Sequence, residues 1–271
     1  MAPLPDLSTV PTDLEIPEVS EGPPSAGKRV RQTTAGWEAT EAHHLLYLPT
    51  DWQAGQSWPV IVEYAGNGGY KNKYGDTSEG TVEGSRLGYG ITAGRGCLWV
   101  CLPYVEKASG TMRNAIKWWG DVEETKRYCI ATIKNICTRY GGDPKRVILG
   151  GFSRGSIACN YIGLNDDEIA KLWCGFICHS HYDGVKTGWP YPDADRASAL
   201  TRLQRLQGRP QFIIHEGSVQ ETETWLRSTG IQGDWTFVPL PFRNHSDAWV
   251  LRDRPQRRQL RGWVEDVLRK K

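Results

Sequence analysis

The sequence lacks a long apolar run, a strong net charge and cysteines at the spacing of a zinc site. No stretch approaches the roughly 20 consecutive apolar residues that a membrane span requires. A formal net charge of +2 gives no electrostatic reason to expect nucleic acid or an anionic membrane as a partner. No CxxC pair is present, so the cysteine spacing predicts no metal site. What is there is an ordinary globular composition, 39% hydrophobic and 24% charged.

The cysteines and the amino-terminal residues leave the compartment open. The seven cysteines are an odd number and lie in apolar segments, which favours reduced core thiols over a disulfide framework. The first residues show no charged region followed by an apolar core, so as written they are not a signal peptide. A cytoplasmic protein and an exported protein whose signal was removed both agree with this pattern, and the sequence predicts no oligomeric state.

The composition divides the chain into two parts. Residues 1–35 are rich in Pro, Ser, Glu and Gly and show no periodicity, which predicts an extended leader or linker. In residues 36–271, short apolar runs alternate with segments of helical spacing, the last of them from about Asp247 to Arg269. This alternation predicts one α/β domain with a mostly parallel central sheet and helices on both faces.

The segment "RVILGGFSRGSIA", residues 146–158, places a serine between glycines directly after an apolar run. Within it, residues 151–155 fit the pattern GxSxG, with Ser153 at the centre. The preceding residues predict a buried strand and the following ones a helix. A sharp strand-to-helix turn of this kind holds a serine hydroxyl clear of the backbone, beside the free N–H groups of the helix start. We therefore predict that Ser153 is a catalytic nucleophile rather than a residue of a structural turn.

A serine nucleophile needs a base that takes its proton. Among the six histidines, only His245 follows the last predicted strand and precedes the last predicted helix, where a base in the chain order serine, acid, histidine is expected. We predict that His245 is this base. The other five histidines are interpreted as core or pocket-wall residues rather than metal ligands: His43, His44, His179, His181 and His215.

Three carboxylates are candidates for the acid that orients the His245 ring. The predicted strand "PQFIIHEG" is followed by residues 217–220, which place a glutamine where an aspartate is expected. Glu221 comes one residue later and is the first choice. Asp183, after the preceding predicted strand, is the second, and Glu216, at the end of the strand, is the third. The acid only has to orient the imidazole and support its charge, so a displaced carboxylate is chemically acceptable.

An acyl-transfer site also needs donors for the oxyanion of its tetrahedral intermediate. The backbone N–H of Arg154 supplies one donor. The second is expected from "AGNGGY", the loop after the predicted strand "VIVEY", where Gly66, Asn67 and Gly68 allow the backbone to approach a substrate. No GxxxxGK[ST] or GxGxxG pattern follows this loop, which disfavours phosphate binding.

The aromatic content is unusual, with 12 Trp against 5 Phe. Trp118 and Trp119 precede a predicted helix, and Trp189 and Tyr191 lie in a loop after a predicted strand. Loops at the carboxyl ends of parallel strands form the rim of the site in such sheets. These four residues are candidates for stacking on sugar rings or aromatic acyl groups, and packing in the core is the alternative.

Three segments carry a resemblance to a known family: "LLYLPTDWQAGQSWPVIVEYAGNGG", "YGGDPKRVILGGFSRGS" and "NHSDAW". They resemble the α/β-hydrolase fold and, within it, esterases that include polyhydroxybutyrate-depolymerase-like and feruloyl-esterase-like proteins. The resemblance covers roughly Glu41 to Lys271. Two features depart from that pattern, namely the missing aspartate after "IIHEG" and a GNGG where a histidine-glycine pair is usual.

The resemblance implies hydrolysis of carboxylesters through an acyl-serine intermediate, without a metal or an organic cofactor. The expected substrate is a small-molecule or polysaccharide-linked ester, with a preference for acetyl or hydroxycinnamoyl esters of carbohydrates over other small esters. Two alternatives stay open. One is a serine peptidase of the same fold, and the other is a non-catalytic binding protein that keeps the fold.

Overall fold

A nine-stranded sheet forms the centre of the protein in a computed structural model that describes residues 3–270. The strands are β1 Val19–Ser20, β2 Arg29–Gln32, β3 His44–Tyr47, β4 Trp58–Tyr64, β5 Tyr70–Lys71, β6 Thr77–Ser78, β7 Leu98–Leu102, β8 Val105–Ala108, β9 Thr111–Asn114, β10 Gly142–Phe152, β11 Gly175–His179, β12 Gln211–Glu216 and β13 Trp235–Leu240. The helices are α1 Leu87–Thr92, α2 Val122–Tyr140, α3 Arg154–Tyr161, α4 Asp167–Ala170, α5 Arg196–Leu203, α6 Gln220–Ser228 and α7 Pro255–Arg269.

The order of strands in the sheet is β1-β2-β3-β7-β4-β10-β11-β12-β13. The six strands from β7 to β13 run parallel to one another, while β3 pairs antiparallel with both of its neighbours. Two small hairpins, β5–β6 and β8–β9, lie outside this sheet. Because parallel strands end at the same edge, the turns after β4, β10, β11 and β12 lie side by side. The mostly parallel sheet agrees with the sequence prediction.

The central strands are apolar on both faces because helices cover each face. Along β10, Val147 and Leu149 belong to one hydrophobic cluster and Ile148 to the other, as the alternation of side chains along a strand requires. The first cluster includes Ile133 of α2, and the second includes Val264 of α7. The predicted arrangement of helices on both faces is therefore present.

Two boundaries differ from the sequence prediction. Residues 1–35 are not wholly a leader, because Arg29–Gln32 is a strand of the main sheet and Val30 is completely buried. The predicted final helix is two elements, a 3-10 helix Asp247–Leu251 and then α7 from Pro255. A proline fits the first turn of a helix but interrupts a continuing one, which explains the break.

The described residues contain no disulfide, and six of the seven cysteine side chains are buried. Burial raises the pKa of the Cys101 and Cys129 thiols to about 12, so these groups stay protonated at neutral pH. Within residues 3–270 no helix has both the length and the apolar character needed to cross a bilayer.

Candidate active site

Ser153 lies in the sharp turn that joins β10 to α3. Its backbone has φ 55° and ψ −112°, a strained conformation for a residue with a side chain. The two flanking glycines are required because there is no room for a side chain at either position. A Cβ on Gly151 would collide with the backbone of Gly155, and a Cβ on Gly155 would collide with the backbone of Tyr64. The turn therefore holds the Ser153 hydroxyl at the carboxyl edge of the sheet, in the geometry that the GxSxG pattern predicts.

His245 connects Ser153 to a carboxylate. The Ser153 Oγ lies 3.0 Å from His245 Nε2, and His245 Nδ1 lies 2.8 Å from Glu216 Oε1. With a proton on Nδ1, Nε2 is free to accept the proton of Ser153. The histidine loop is fixed by Asp76 in the β5–β6 hairpin, which accepts a hydrogen bond from the His245 backbone N–H at 2.9 Å.

Glu216 is an ionised carboxylate in a mostly buried position. Burial by itself raises its pKa, but the hydrogen bond from His245 and the facing imidazoles of His179 and His215 together hold the pKa well below its usual range. Glu216 therefore stays negative at any pH at which a histidine base works. Ser180 provides a second acceptor, since its Oγ lies 2.9 Å from the same His245 Nδ1.

The preference for Glu221 as the acid is wrong, and so is the second choice, Asp183. Glu221 lies exposed in the first turn of α6 and makes no hydrogen bond to His245 in the described structure. Asp183 forms a buried two-point ion pair with Arg202, at 2.8 and 3.1 Å. The carboxylate at His245 is that of Glu216, the third choice.

Two of the candidate oxyanion donors line the cavity and have N–H groups without an acceptor in the described residues, and the other two do not combine these features. The backbone N–H groups of Arg154 and Asn67 have no acceptor within residues 3–270, and both residues line the cavity beside Ser153. The N–H of Gly68 is already donated to the Ile116 carbonyl at 2.7 Å, so its predicted role is wrong. Gly66 lines a different cavity, next to Phe152, and its predicted role as a donor is not supported either.

The cavity above Ser153 has a volume of about 390 Å³. Trp118 and Trp189 line it, with ring centroids 5.4 Å apart, and their role in stacking on a substrate stays a prediction. Trp119 and Tyr191 do not line it: Trp119 is 3% exposed and stacks on Tyr161 at 4.5 Å. Tyr191 packs against Trp118 and Trp119 from behind. The prediction is therefore wrong for these two residues, which support the wall from the core.

Some residues of the site were not predicted from the sequence, whereas His181, which lines the cavity, is among the histidines interpreted as core or pocket-wall residues. Tyr70 packs edge-on against His245, with ring centroids 4.9 Å apart, and His181 lies 5.1 Å from the same ring. Burial lowers the pKa of His181 to about 4, so its imidazole is neutral at pH 7. Asp76 and Ser180 belong to the same group. Their only local signal is a position at or just after a strand, which many other polar residues share. No cluster of His, Cys, Asp or Glu among the described residues is arranged to hold a metal ion.

No protein-family model matches this chain, and no curated protein is significantly similar to it in sequence. Solved structures are similar in fold. Fungal esterases from Rhizomucor miehei superpose with a TM-score of 0.62 at 15% identity, over 95% of this chain and 87% of that chain. An arylesterase superposes with a TM-score of 0.56 at 12% identity, over 92% of this chain and 88% of that chain. A putative dipeptidyl aminopeptidase IV from Bacteroides ovatus gives 0.55 at 14% identity, over 88% of this chain but only 35% of its own.

These likenesses establish the α/β-hydrolase fold and confirm that part of the sequence prediction. At identities of 12–15% they carry the fold alone. The finer resemblance to polyhydroxybutyrate-depolymerase-like and feruloyl-esterase-like proteins stays a prediction.

Proposed function

We propose that this protein is a serine carboxylester hydrolase with Ser153 as nucleophile, His245 as base and Glu216 as acid. The observation that carries the proposal is the unbroken line of hydrogen bonds from Ser153 Oγ through the His245 ring to Glu216, at 3.0 and 2.8 Å. It lies on a strained strand-to-helix turn, next to two N–H groups without an acceptor. A serine needs each of these parts in order to act as a nucleophile on an ester.

In the proposed reaction, His245 Nε2 takes the proton of Ser153 as Oγ attacks the ester carbonyl carbon. The carbonyl oxygen becomes negative and accepts hydrogen bonds from the N–H groups of Arg154 and Asn67. The intermediate then expels the alcohol, which takes the proton from His245 and leaves an acyl-serine. A water molecule repeats the sequence, and the acid and free Ser153 are released. Glu216 stays ionised and stabilises the imidazolium that forms in each half.

The substrate class that we propose is a small-molecule or carbohydrate-linked ester, acetyl or hydroxycinnamoyl. Two features support it. The catalytic cavity has a wall of Trp118 and Trp189, and apolar ring faces suit sugars and aromatic acids. A second cavity of about 520 Å³ shares His181 and Trp189 with the first, and its polar lining suits a leaving group rich in hydroxyls. That polar lining includes Lys186, His215, Ser218, Gln220, Glu221 and Thr222.

The two alternative functions have less support. A non-catalytic relative would be favoured by a histidine without a carboxylate, whereas Glu216 Oε1 lies 2.8 Å from His245 Nδ1. The peptidase-type neighbour is 14% identical to this chain, so the likeness supports the fold alone. An ester hydrolase is the simpler reading of a cavity that opens directly above the serine.

The test is a substrate panel with active-serine labelling. We expect hydrolysis of p-nitrophenyl acetate and of an acetylated xylo-oligosaccharide, and no hydrolysis of peptide p-nitroanilides. A fluorophosphonate should add its mass to the peptide that contains Ser153, and Ser153→Ala should abolish both labelling and turnover. Ser156→Ala, at a neighbouring serine whose hydroxyl bonds to the His181 carbonyl, is the control that should keep labelling. Full activity in Ser153→Ala would overturn the proposal, and cleavage of the peptide substrates alone would favour the peptidase.

The carbohydrate part is tested separately at Gln220, an exposed residue of the second cavity. Loss of one hydrogen bond of about 1 kcal/mol corresponds to about a fivefold change in affinity. Gln220→Ala should therefore raise KM for the xylo-oligosaccharide about fivefold and leave kinetics on p-nitrophenyl acetate unchanged. An equal effect on both substrates, or on neither, would remove the second cavity from the proposal.

A further inference from the structure

The side chain of Arg154, the residue after the proposed nucleophile, points into the protein rather than into the cavity. The residue is 1% exposed, and within residues 3–270 its guanidinium has no carboxylate partner. It lies over the ring of Tyr104, with Cζ 4.0 Å from the ring centroid. A buried unpaired charge is costly unless hydrogen bonds satisfy it. A buried guanidinium directly beside Ser153 therefore needs a specific set of hydrogen-bond partners.

Those partners are four backbone carbonyls. Nη1 donates to the Trp118 carbonyl at 2.7 Å and to that of Ala115 at 3.4 Å. Nη2 donates to the Gly80 carbonyl at 3.1 Å, and Nε donates to that of Ala65 at 3.4 Å. These acceptors belong to three segments that are distant in sequence, residues 65–68, 79–80 and 115–118, which we call the oxyanion junction.

The three segments of the oxyanion junction also contact one another closely. The Gly68 N–H donates to the Ile116 carbonyl at 2.7 Å, and the Trp118 N–H donates to Asn67 Oδ1 at 2.8 Å. A Cβ on Gly80 would collide with the Ile116 carbonyl and with the backbone of Gly68. The backbone of Asn67 is therefore held on both sides, while its own N–H has no acceptor within residues 3–270 and the residue lines the cavity.

We propose that Arg154 is a positioning residue for oxyanion stabilisation: its guanidinium holds the oxyanion junction so that the Asn67 N–H stays beside Ser153. The same residue then supplies one oxyanion donor from its backbone and fixes the other through its side chain. Donors that are fixed in advance stabilise a transition state without reorganisation. This inference rests on the proposed ester hydrolysis. It gives a structural reason for an arginine at the second variable position of GxSxG, directly after the serine.

The first test compares Arg154→Met with Arg154→Lys. Methionine keeps apolar bulk but donates no hydrogen bond, so the Asn67 N–H loses its support. In other enzymes, removal of one oxyanion donor lowers kcat by about 10²–10³-fold. For Arg154→Met we expect kcat to fall on the order of 10²-fold, with KM within about threefold of the wild-type value. Lysine carries the positive charge but lacks the planar guanidinium, whose N–H groups reach several carbonyls at once. It should therefore recover activity only in part.

Arg29 is the matched control. It is also buried, at 4% exposed, lies over an aromatic ring, that of Trp99, and donates to the carbonyls of Val82 and Glu83 at 3.1 Å. Arg29→Met should therefore lower the midpoint of urea unfolding as Arg154→Met does, while kcat stays within about twofold of the wild type. A catalytic loss of the same size in both variants would show a general effect of losing a buried arginine and would overturn the proposal.

A second pair of variants serves if Arg154→Met does not fold. Asn67→Ala keeps the backbone N–H but loses the contact to the Trp118 N–H, whereas Asn67→Asp keeps an acceptor there. We expect Asn67→Ala to lower kcat about tenfold and Asn67→Asp to recover most of it. Unchanged kcat in Asn67→Ala and Arg154→Lys would overturn the proposal.

Affinity for a trifluoromethyl ketone separates this inference from the proposed function. Such a ketone forms a tetrahedral adduct with the serine and places its oxyanion on the same donors as the intermediate. Its Ki should rise with the fall in kcat/KM across the Arg154 variants, and the Ki of the product acid should change little. A wild-type protein that is inert to esters and fluorophosphonate would overturn both proposals. An active wild type whose Arg154 variants bind the ketone normally would overturn this one alone.

Discussion

The two sides of the cavity above Ser153 differ in the interactions that hold them: hydrogen bonds on one side and packing of aromatic rings on the other. On the catalytic side, Ser153, His245 and Glu216 are separated by up to 92 residues and are joined by short, directional hydrogen bonds. On the aromatic side, neighbours in sequence have different roles, because Trp118 lines the cavity while Trp119 stacks in the core behind it. Residue type and chain order therefore indicate Ser153 and His245, but they rank Glu216 only third among the carboxylates. The aromatic side depends on which ring faces solvent, and composition does not determine that.

The largest expected effect is loss of the base on the catalytic side. His245→Ala leaves Ser153 without a proton acceptor, so kcat on p-nitrophenyl acetate should fall by about 10⁴–10⁶-fold with little change in KM. The measurement is steady-state kinetics on folded protein checked by circular dichroism. His43→Ala is the control, because His43 pairs with Glu83 and lines a different cavity. A residual kcat within tenfold of the wild type would remove His245 from the mechanism.

The second prediction sets Glu216 against the two rejected carboxylates. Glu216→Gln removes the charge that supports the imidazolium, and we expect kcat to fall on the order of 10³-fold. Ser180 Oγ still accepts from His245 Nδ1 at 2.9 Å, so the ring keeps part of its orientation. Glu221→Gln should change kcat less than twofold, because Glu221 is exposed on α6.

Asp183→Asn completes this comparison. It breaks a buried two-point ion pair and leaves Arg202 without its carboxylate, so the free energy of unfolding should fall by about 3–5 kcal/mol. Turnover per folded molecule should stay near the wild-type value. A larger kcat loss in Glu221→Gln or Asp183→Asn than in Glu216→Gln would contradict the assignment.

The third prediction separates the two adjacent tryptophans of the aromatic side. Trp118→Ala removes a cavity wall, and we expect KM for an aromatic acyl ester to rise about tenfold. Trp119→Ala removes a core ring that stacks on Tyr161 at 4.5 Å, so it should lower the free energy of unfolding by about 3–5 kcal/mol. Equal effects of the two changes on KM at a temperature where both variants are folded would contradict the division of roles.

Much of the fold was predictable because short stretches of sequence indicate the strands, the turns and their order. The apolar run of β10, the glycines around Ser153 and the position of His245 after the last strand each need only a short stretch of sequence. The strand β2 was missed because its four residues, Arg29–Gln32, include three polar ones. These residues form a strand because they pair with β3, and no pattern in their own sequence indicates that pairing.

The carboxylate beside His245 was ranked only third for a related reason. Choosing among Glu216, Glu221 and Asp183 requires knowing which side chains come together in space. Asp183 forms an ion pair with Arg202 of the later helix α5, and Glu221 lies exposed in the first turn of α6. Glu216 reaches His245 because it is the last residue of β12, at the edge where the parallel strands end. Such long-range contacts determine which carboxylate meets His245, and the sequence pattern alone left three candidates.

The last prediction concerns stability rather than turnover, and it comes from a buried histidine at the end of β11. His179 ends β11 and is completely buried between Phe152 and Trp249, with ring centroids 4.9 and 5.8 Å away. Neither ring nitrogen has a hydrogen-bond partner within the described residues. Burial is the largest influence on it, and the charge of Glu216 opposes that influence only in part, so the pKa of His179 is lowered to about 3.

This histidine should therefore make the fold sensitive to acid. Below the ordinary histidine pKa of about 6.5 the unfolded chain binds a proton that the folded chain excludes, so stability is complete above that value and falls as the pH decreases toward 3. Between about pH 7.5 and pH 5, one such group contributes a loss of about 2 kcal/mol. His179→Phe keeps the ring packing and removes the titration. Urea unfolding of this variant should show a pH dependence smaller by about 2 kcal/mol over that interval. An unchanged pH dependence would mean that His179 is charged, or reached by water, in the folded protein.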